Sequence, residues 1–186
     1  MALFERNKAE TGLLDITPLQ PTIGAEIAGV DLRGPISDAV RDAIRAAVLK
    51  YKVVFFRDQH LTSEQQADFA VRFGPLYTHP TSKHHDKIAP AHAISAEESK
   101  KYLDLVTPKQ LRDAYHTDTS WRLVPTWGAV LRAVDLPPLG GDTIWVDAGL
   151  VWRELPQDIK DRLEGKLVTH DFRSALARAG HDYPVV

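Results

Sequence analysis

The sequence predicts an α+β fold with a β-sandwich or barrel core. Helix-period patterns concentrate in the first half of the chain, and runs of strand character separated by Gly/Pro turns concentrate in the second. The 186 residues are 44% hydrophobic and 26% charged, which suits one globular domain over 1–186 and excludes disorder as the dominant state. No internal repeat or low-complexity tract interrupts that domain.

Two strands open the chain. Leu14–Leu19 alternates apolar and polar residues up to its proline, Pro21–Gly24 turns, and Ala25–Leu32 runs to Gly34-Pro35. The clearest helix follows, with Val40, Ala43, Ile44, Ala47, Val48 and Tyr51 at helical spacing and Ser37 or Asp38 as its cap. Val53-Val54-Phe55-Phe56 is apolar on both faces and reads as a fully buried strand. Thr62 and Gln65 form a capping-box signature for a helix that runs to about Phe73 and stops at Gly74-Pro75.

From Pro80 to Arg112 periodicity weakens, with one short helix expected near Glu97–Leu103, so the segment reads as a functional loop or a poorly ordered stretch, and Thr81–Arg112 is expected to act as a lid. Strand character returns at Tyr115–Trp121, Trp127–Leu136 and Asp142–Asp147. Two short helices are expected next, one capped by Asp147 and one over Pro156–Gly165, and Lys166–Phe172 reads as a last strand.

Composition removes several classes of chemistry. Without cysteine there is no disulfide scaffold, iron–sulfur cluster, zinc ribbon or thiol nucleophile, so a metal would be held by His, Asp or Glu. No apolar run approaches the about 18 residues of a membrane span, and the N-terminus has no secretory h-region, so no membrane partner and a cytoplasmic location are expected. A formal charge of −2 without a long basic run argues against a nucleic-acid partner. A homo-oligomer is left open.

The sharpest local feature is His116-Thr117-Asp118. In a strand, residues i and i+2 share a face, which sets an imidazole beside a carboxylate as a chelating pair for a divalent metal. The plain alternative is a surface strand with a polar face. A zinc hydrolase would need a pattern such as H-E-x-x-H, which does not occur.

The order of motifs around this pair is more specific. His116–Trp121 is followed by Pro125, Gly128-Ala129-Val130-Leu131 and Leu136–Trp145, which contains Gly140-Gly141-Asp142-Thr143. Together with Gly24–Leu32, Val54–Arg57, Phe73–Leu76 and His170–Arg173, this succession resembles the taurine dioxygenase (TauD/TfdA) family of iron(II)/2-oxoglutarate-dependent oxygenases. The resemblance runs from about Leu14 onward. It implies a double-stranded β-helix (jelly roll) core with flanking helices, here without its C-terminal strands. It also implies Fe(II) as cofactor, 2-oxoglutarate and dioxygen as cosubstrates, and hydroxylation of a small organic substrate with release of succinate and CO2.

Residue by residue, the resemblance makes His116 and Asp118 the first two metal ligands. It makes Thr143 the residue that meets the distal part of 2-oxoglutarate, with a strand threonine after a Gly-Gly turn as the alternative. It makes His79 a contact for the anionic head of a sulfonate or sulfate substrate, with a loop histidine bonded to a nearby carbonyl as the alternative. Lys83, Lys87, Lys100, Lys101, Lys109 and Arg112 would suit an anion, but Asp86, Glu97, Glu98, Asp104 and Asp113 nearly cancel them. Arg112 stands where some members carry an Asn.

The family's third ligand, a His, and the Arg that pairs with 2-oxoglutarate lie farther downstream than the 68 residues that follow Asp118 in this 186-residue chain. His170 and His181 are the histidines within that stretch. A shortened, non-catalytic relative that binds small molecules or partners is the rival expectation.

Overall fold

Strands β1 (Asp15–Pro18) and β2 (Ala25–Ala28) pair antiparallel, with Ile16 opposite Ile27 and Pro18 opposite Ala25. The turn between them closes through Leu19 N–H on Gly24 O at 2.9 Å, and Gly24 has φ +87°, a left-handed value that favours glycine. Alternation along each strand then does what a period of two requires. Leu14, Ile16, Ala25 and Ile27 are buried on one face, while Glu26 lies on the other and accepts from Arg57 Nε at 2.9 Å.

This arrangement belongs to a computed structural model that describes residues 12–78 and 115–173. The described residues fall into two compact units. One lies within Met1–Pro75 and Val130–Lys166, the other within Leu76–Ala129 and Leu167–Val186.

In the first unit, helix α1 (Asp38–Tyr51) begins where expected, with Ser37 Oγ accepting from Val40 N–H at 3.3 Å. Its Ile44 and Ala47 join Leu14, Ile16, Ala25, Ile27, Leu32, Leu61 and Phe69 in a single apolar cluster. The helix ends at Lys52, whose N–H donates to Val48 O and whose ammonium donates to Leu49 O, both at 2.7 Å. Strand β3 (Val54–Phe55) then lies parallel to β2, with Ala25 opposite Val54, giving the sheet order β1-β2-β3. Val53–Phe56 is half-buried rather than fully buried, because β3 takes the edge of this sheet.

Helix α2 (Ser63–Val71) carries the expected capping box. Thr62 Oγ1 accepts from Gln65 N–H at 3.2 Å, and Gln65 Oε1 accepts from Thr62 N–H at 2.8 Å. Phe69 packs edge-on to Phe56 and Phe73, which seats the helix on the core. Gln59 ties the chain after β2 to the approach to α2, accepting from Leu32 N–H and donating to Val30 O at 2.9 Å each.

The later part of this unit differs from expectation. Trp127–Leu136 and Asp142–Asp147 form no strand, and in the second unit neither Tyr115–Trp121 nor Lys166–Phe172 does. A strand is defined by its neighbour, and among the described residues the only ladder is β1-β2-β3. Side-chain contacts attach the segment instead. Gln66 Nε2 donates to Val130 O at 2.9 Å, Arg132 donates to Gln66 Oε1 at 3.0 Å and to Ser63 Oγ at 3.2 Å, and Trp145 sits edge-on to Phe55 at 5.5 Å.

The two short helices form as expected. Asp147 Oδ1 caps α3 (Ala148–Glu154) by accepting from Gly149 and Leu150 N–H, and α4 (Gln157–Leu163) starts after Pro156. Lys160 Nζ joins them by donating to Arg153 O at 2.7 Å. Neither buries a side chain fully.

Two outcomes follow from this packing. Ile44 is 2% exposed at the centre of the cluster. Ile44→Ala should lower stability by about 2–5 kcal/mol in urea denaturation, as for other fully buried large-to-small changes. A cost within experimental error would contradict the placement of the core.

Asp31 accepts from Arg33 Nε, Nη2 and N–H. That guanidinium, with the N–H, holds the Asp31 carboxyl down from the ordinary 3.8 to about 2. A depressed carboxylate stabilises the fold above its unfolded pKa and stops doing so as pH falls through the folded one. Carbon-13 NMR should therefore find the Asp31 carboxyl titrating near pH 2, and Arg33→Ala should return it to the ordinary range.

Candidate functional site

The second unit holds the H-T-D segment. His116 and Thr117 run without a ladder, and 118–121 form a turn. His116 Nε2 and Asp118 Oδ1 nevertheless stand 3.2 Å apart, with side chains 74% and 63% exposed. The two side chains therefore stand together, although the segment carries no strand ladder.

Thr119 makes that turn. It has φ +54°, a value that is costly for a β-branched residue, and it is the buried polar side chain among the described residues. Its hydroxyl accepts from Thr126 N–H at 2.8 Å and lies 2.9 Å from Thr126 Oγ1. Its carbonyl accepts from Arg122 N–H at 3.0 Å. These bonds offset the backbone cost and close the loop that follows Asp118.

Aromatic rings continue the unit. Trp121 stacks on Phe172 at 5.1 Å with planes 9° apart and meets Tyr77 edge-on at 6.4 Å. The Arg122 guanidinium lies over the Tyr77 ring at 4.0 Å. Ser120 Oγ and His170 Nδ1 are in hydrogen-bond contact at 2.8 Å.

Asp171, next to His170, accepts from Arg173 N–H at 2.8 Å and from its Nη2 at 2.7 Å. The Arg173 side chain, then its N–H, hold the Asp171 carboxyl below the usual carboxylate range.

The other expected site residues fall elsewhere. Thr143 is exposed and lies in the first unit, after Gly140 and Gly141, whose φ values of +77° and +76° make a left-handed turn suited to glycine. It is not in a strand. His79, His181 and Thr81–Arg112, with the short helix near Glu97–Leu103, lie outside the described residues. Thr119, Ser120 and the role of His170 were not legible as site features. The sequence contains them, but a positive φ at a threonine runs against its propensity, and His170 stands out in the sequence as part of the His170–Arg173 motif and as one of two histidines after Asp118.

The pair can be tested for fit to a metal. Two donors bound cis on an octahedral ion at about 2.0–2.2 Å each stand about 2.8–3.1 Å apart. The 3.2 Å separation of Nε2 and Oδ1 meets that requirement with little movement, and one imidazole with one carboxylate suits a first-row divalent ion. Among the described residues no cluster of three His, Asp or Glu forms, so the pair would offer a metal two donors.

Comparison with known proteins bears on what such a pair serves. A family model described as "Taurine catabolism dioxygenase TauD, TfdA family" matches residues 15–185. The chain is 31% identical over 160 residues to an alpha-ketoglutarate-dependent sulfate ester dioxygenase of Pseudomonas putida, across 84% of this chain and 49% of that protein. It is 33% identical over 167 residues to an (S)-phenoxypropionate/alpha-ketoglutarate-dioxygenase of Sphingobium herbicidovorans, across 90% of this chain and 56% of that one. A crystal structure of a taurine dioxygenase from Burkholderia xenovorans superposes with TM-score 0.68 at 37% identity, across 82% of this chain and 51% of that chain. The chain spans about half the length of the curated relatives it matches.

The turn itself can be probed directly. Thr119→Val keeps the shape and removes the hydroxyl, leaving Thr126 N–H without its acceptor. A loss of about 0.5–1.5 kcal/mol is expected, the net worth of a half-buried hydrogen bond. Thermal unfolding of the variant and of Thr117→Val, an exposed neighbour, makes the comparison; equal stabilities would remove Thr119 from its central place.

Proposed function

Because the chain belongs to the TauD/TfdA family, we propose that it carries two of the three metal ligands of an iron(II)- and 2-oxoglutarate-dependent dioxygenase. The family uses Fe(II) and 2-oxoglutarate. The observation that carries the proposal is the 3.2 Å approach of His116 Nε2 to Asp118 Oδ1 within the H-T-D segment.

The reaction assigned is hydroxylation of a small anionic organic molecule, of the alkyl sulfate or sulfonate type, with 2-oxoglutarate and dioxygen giving succinate and CO2. Both relatives above are named for anionic compounds, one a sulfate ester and one a phenoxypropionate. Bound iron supplies the activation of dioxygen.

The chain's own residues do the positioning. His116 offers a neutral nitrogen and Asp118 a charged oxygen, which together neutralise part of the metal's charge and leave other positions for the cosubstrate and oxygen. Thr119 and Thr126 hold the turn from which Asp118 projects. Thr143 is assigned to the distal carboxylate of 2-oxoglutarate and His79 to the anionic head of the substrate, both by likeness of motif. The core assigned to the whole domain is a double-stranded β-helix.

The test is metal affinity together with turnover. Under anaerobic conditions Fe(II) binding should weaken more than about 100-fold in His116→Ala and in Asp118→Ala, beyond what loss of a supporting residue costs. In a longer version of the protein that reaches the length of its relatives, succinate formation from 2-oxoglutarate with an alkyl sulfate should be lost in parallel. Variants that bind Fe(II) as the unaltered chain does would contradict the assignment. Metal binding without succinate would favour a binding protein over an enzyme.

A further inference from the structure

Two contacts converge on the residues that directly follow the H-T-D segment, and both come from one place 50 residues downstream. His170 Nδ1 meets Ser120 Oγ at 2.8 Å, and the Phe172 ring lies flat on Trp121 at 5.1 Å with planes 9° apart. The donor segment thus engages at alternate positions, i and i+2, while the receiving segment is engaged at consecutive ones. Asp171, between the two, is taken up by Arg173 through its N–H, Nε and Nη2. That internal pair fixes the short segment 170–173 and leaves His170 and Phe172 for Ser120 and Trp121.

The location gives these contacts their importance. The turn after Asp118 closes on itself through Thr119 and Thr126, which sets its shape. Neither segment belongs to the sheet, so no backbone ladder fixes where the turn sits relative to the chain that returns past it. An exposed chelating pair that must lose rotamer freedom on binding a metal gains from any contact that restricts it beforehand.

We propose that His170 and Phe172 form a clasp on Ser120 and Trp121 that positions Asp118 beside His116 for metal binding, His170 being a positioning residue and not a ligand. This deepens the metal reading given above and rests on it. A clasp acts as supporting groups around metal ligands do, by holding the ligand's orientation, and such groups are worth about 10–100-fold in metal affinity.

The experiment uses Co(II) as a visible stand-in for Fe(II), titrated into the whole chain by its absorption bands. Hydrogen exchange of peptides spanning 116–126 is followed by mass spectrometry. His170→Ala and Ser120→Ala should each weaken Co(II) binding about 10–100-fold. The double variant should bind no more weakly than the weaker single one, because the two residues act through one contact. Exchange over 116–126 should rise in His170→Ala.

His170→Asn places an amide where Nδ1 stands and should restore affinity and protection. His170→Gln reaches only toward the place of Nε2 and should not. Phe172→Leu should raise exchange at Trp121 and weaken Co(II) binding in the same direction. Wild-type affinity and protection in His170→Ala would overturn this inference while leaving the metal reading in place. Rescue by Gln and not by Asn would overturn it in favour of ligation through Nε2. If the unaltered chain binds no Co(II), the metal reading falls and takes this inference with it.

Discussion

Strand β2 is the element on which the described sheet and its apolar cluster are built. It is paired with β1 on one edge and β3 on the other, and its Ala25 and Ile27 are 0% and 2% exposed. Ala25 donates to Val53 O and Gly24 to Tyr51 O, so the same few residues receive both the hairpin and the chain leaving α1. The small side chain at Ala25 suits a position where a strand is paired on both edges and one face is closed. Caps at Ser37 and Thr62 then start the two helices, whose apolar faces finish the cluster.

Beyond Pro75 the described chain obeys a different rule. Its apolar residues have no described sheet to enter, and Leu139, Leu167 and Leu123 are 90%, 98% and 100% exposed. Apart from α3 and α4, order there comes from side chains: Gln66 and Arg132 in one unit, and Thr119, Trp121 and His170 in the other. Exposed apolar surface on this scale needs covering. The chain spans about half the length of its curated relatives, which places that surface within the portion shared with them. The H-T-D pair lies in this second regime, so its geometry depends on a turn and its contacts rather than on a sheet.

That division also explains what could be read from the residues. Ser37, the Thr62–Gln65 box and Asp147 act on backbone groups within three residues, so their signals are local and each was read where it occurs. β1 and β2 were legible because a hairpin is nearly local. The four later strands were misread because β-branched and aromatic runs state a preference, while a strand requires a neighbour far along the chain. The H-x-D spacing anticipates that His116 and Asp118 approach one another, which they do at 3.2 Å, while the left-handed Thr119 that follows them carries no sequence signal. The Ser120–His170 contact spans 50 residues and has no periodic signal. The ordered motifs from Gly24 to His170 identified the family, because a succession of short motifs survives where secondary-structure preference misleads.

The central claim is that His116 and Asp118, which meet at 3.2 Å, together form the place where a divalent ion enters. Mn(II) added in substoichiometric amounts to the nitrogen-15-labelled chain tests it directly, since the ion broadens resonances near it. The account predicts broadening centred on the His116 ring and the amides from His116 to Trp121, with Asp31, Asp38 and Asp42 unaffected although they are exposed carboxylates. Broadening centred on those acidic residues of the first unit, or spread evenly over the acidic surface, would contradict it.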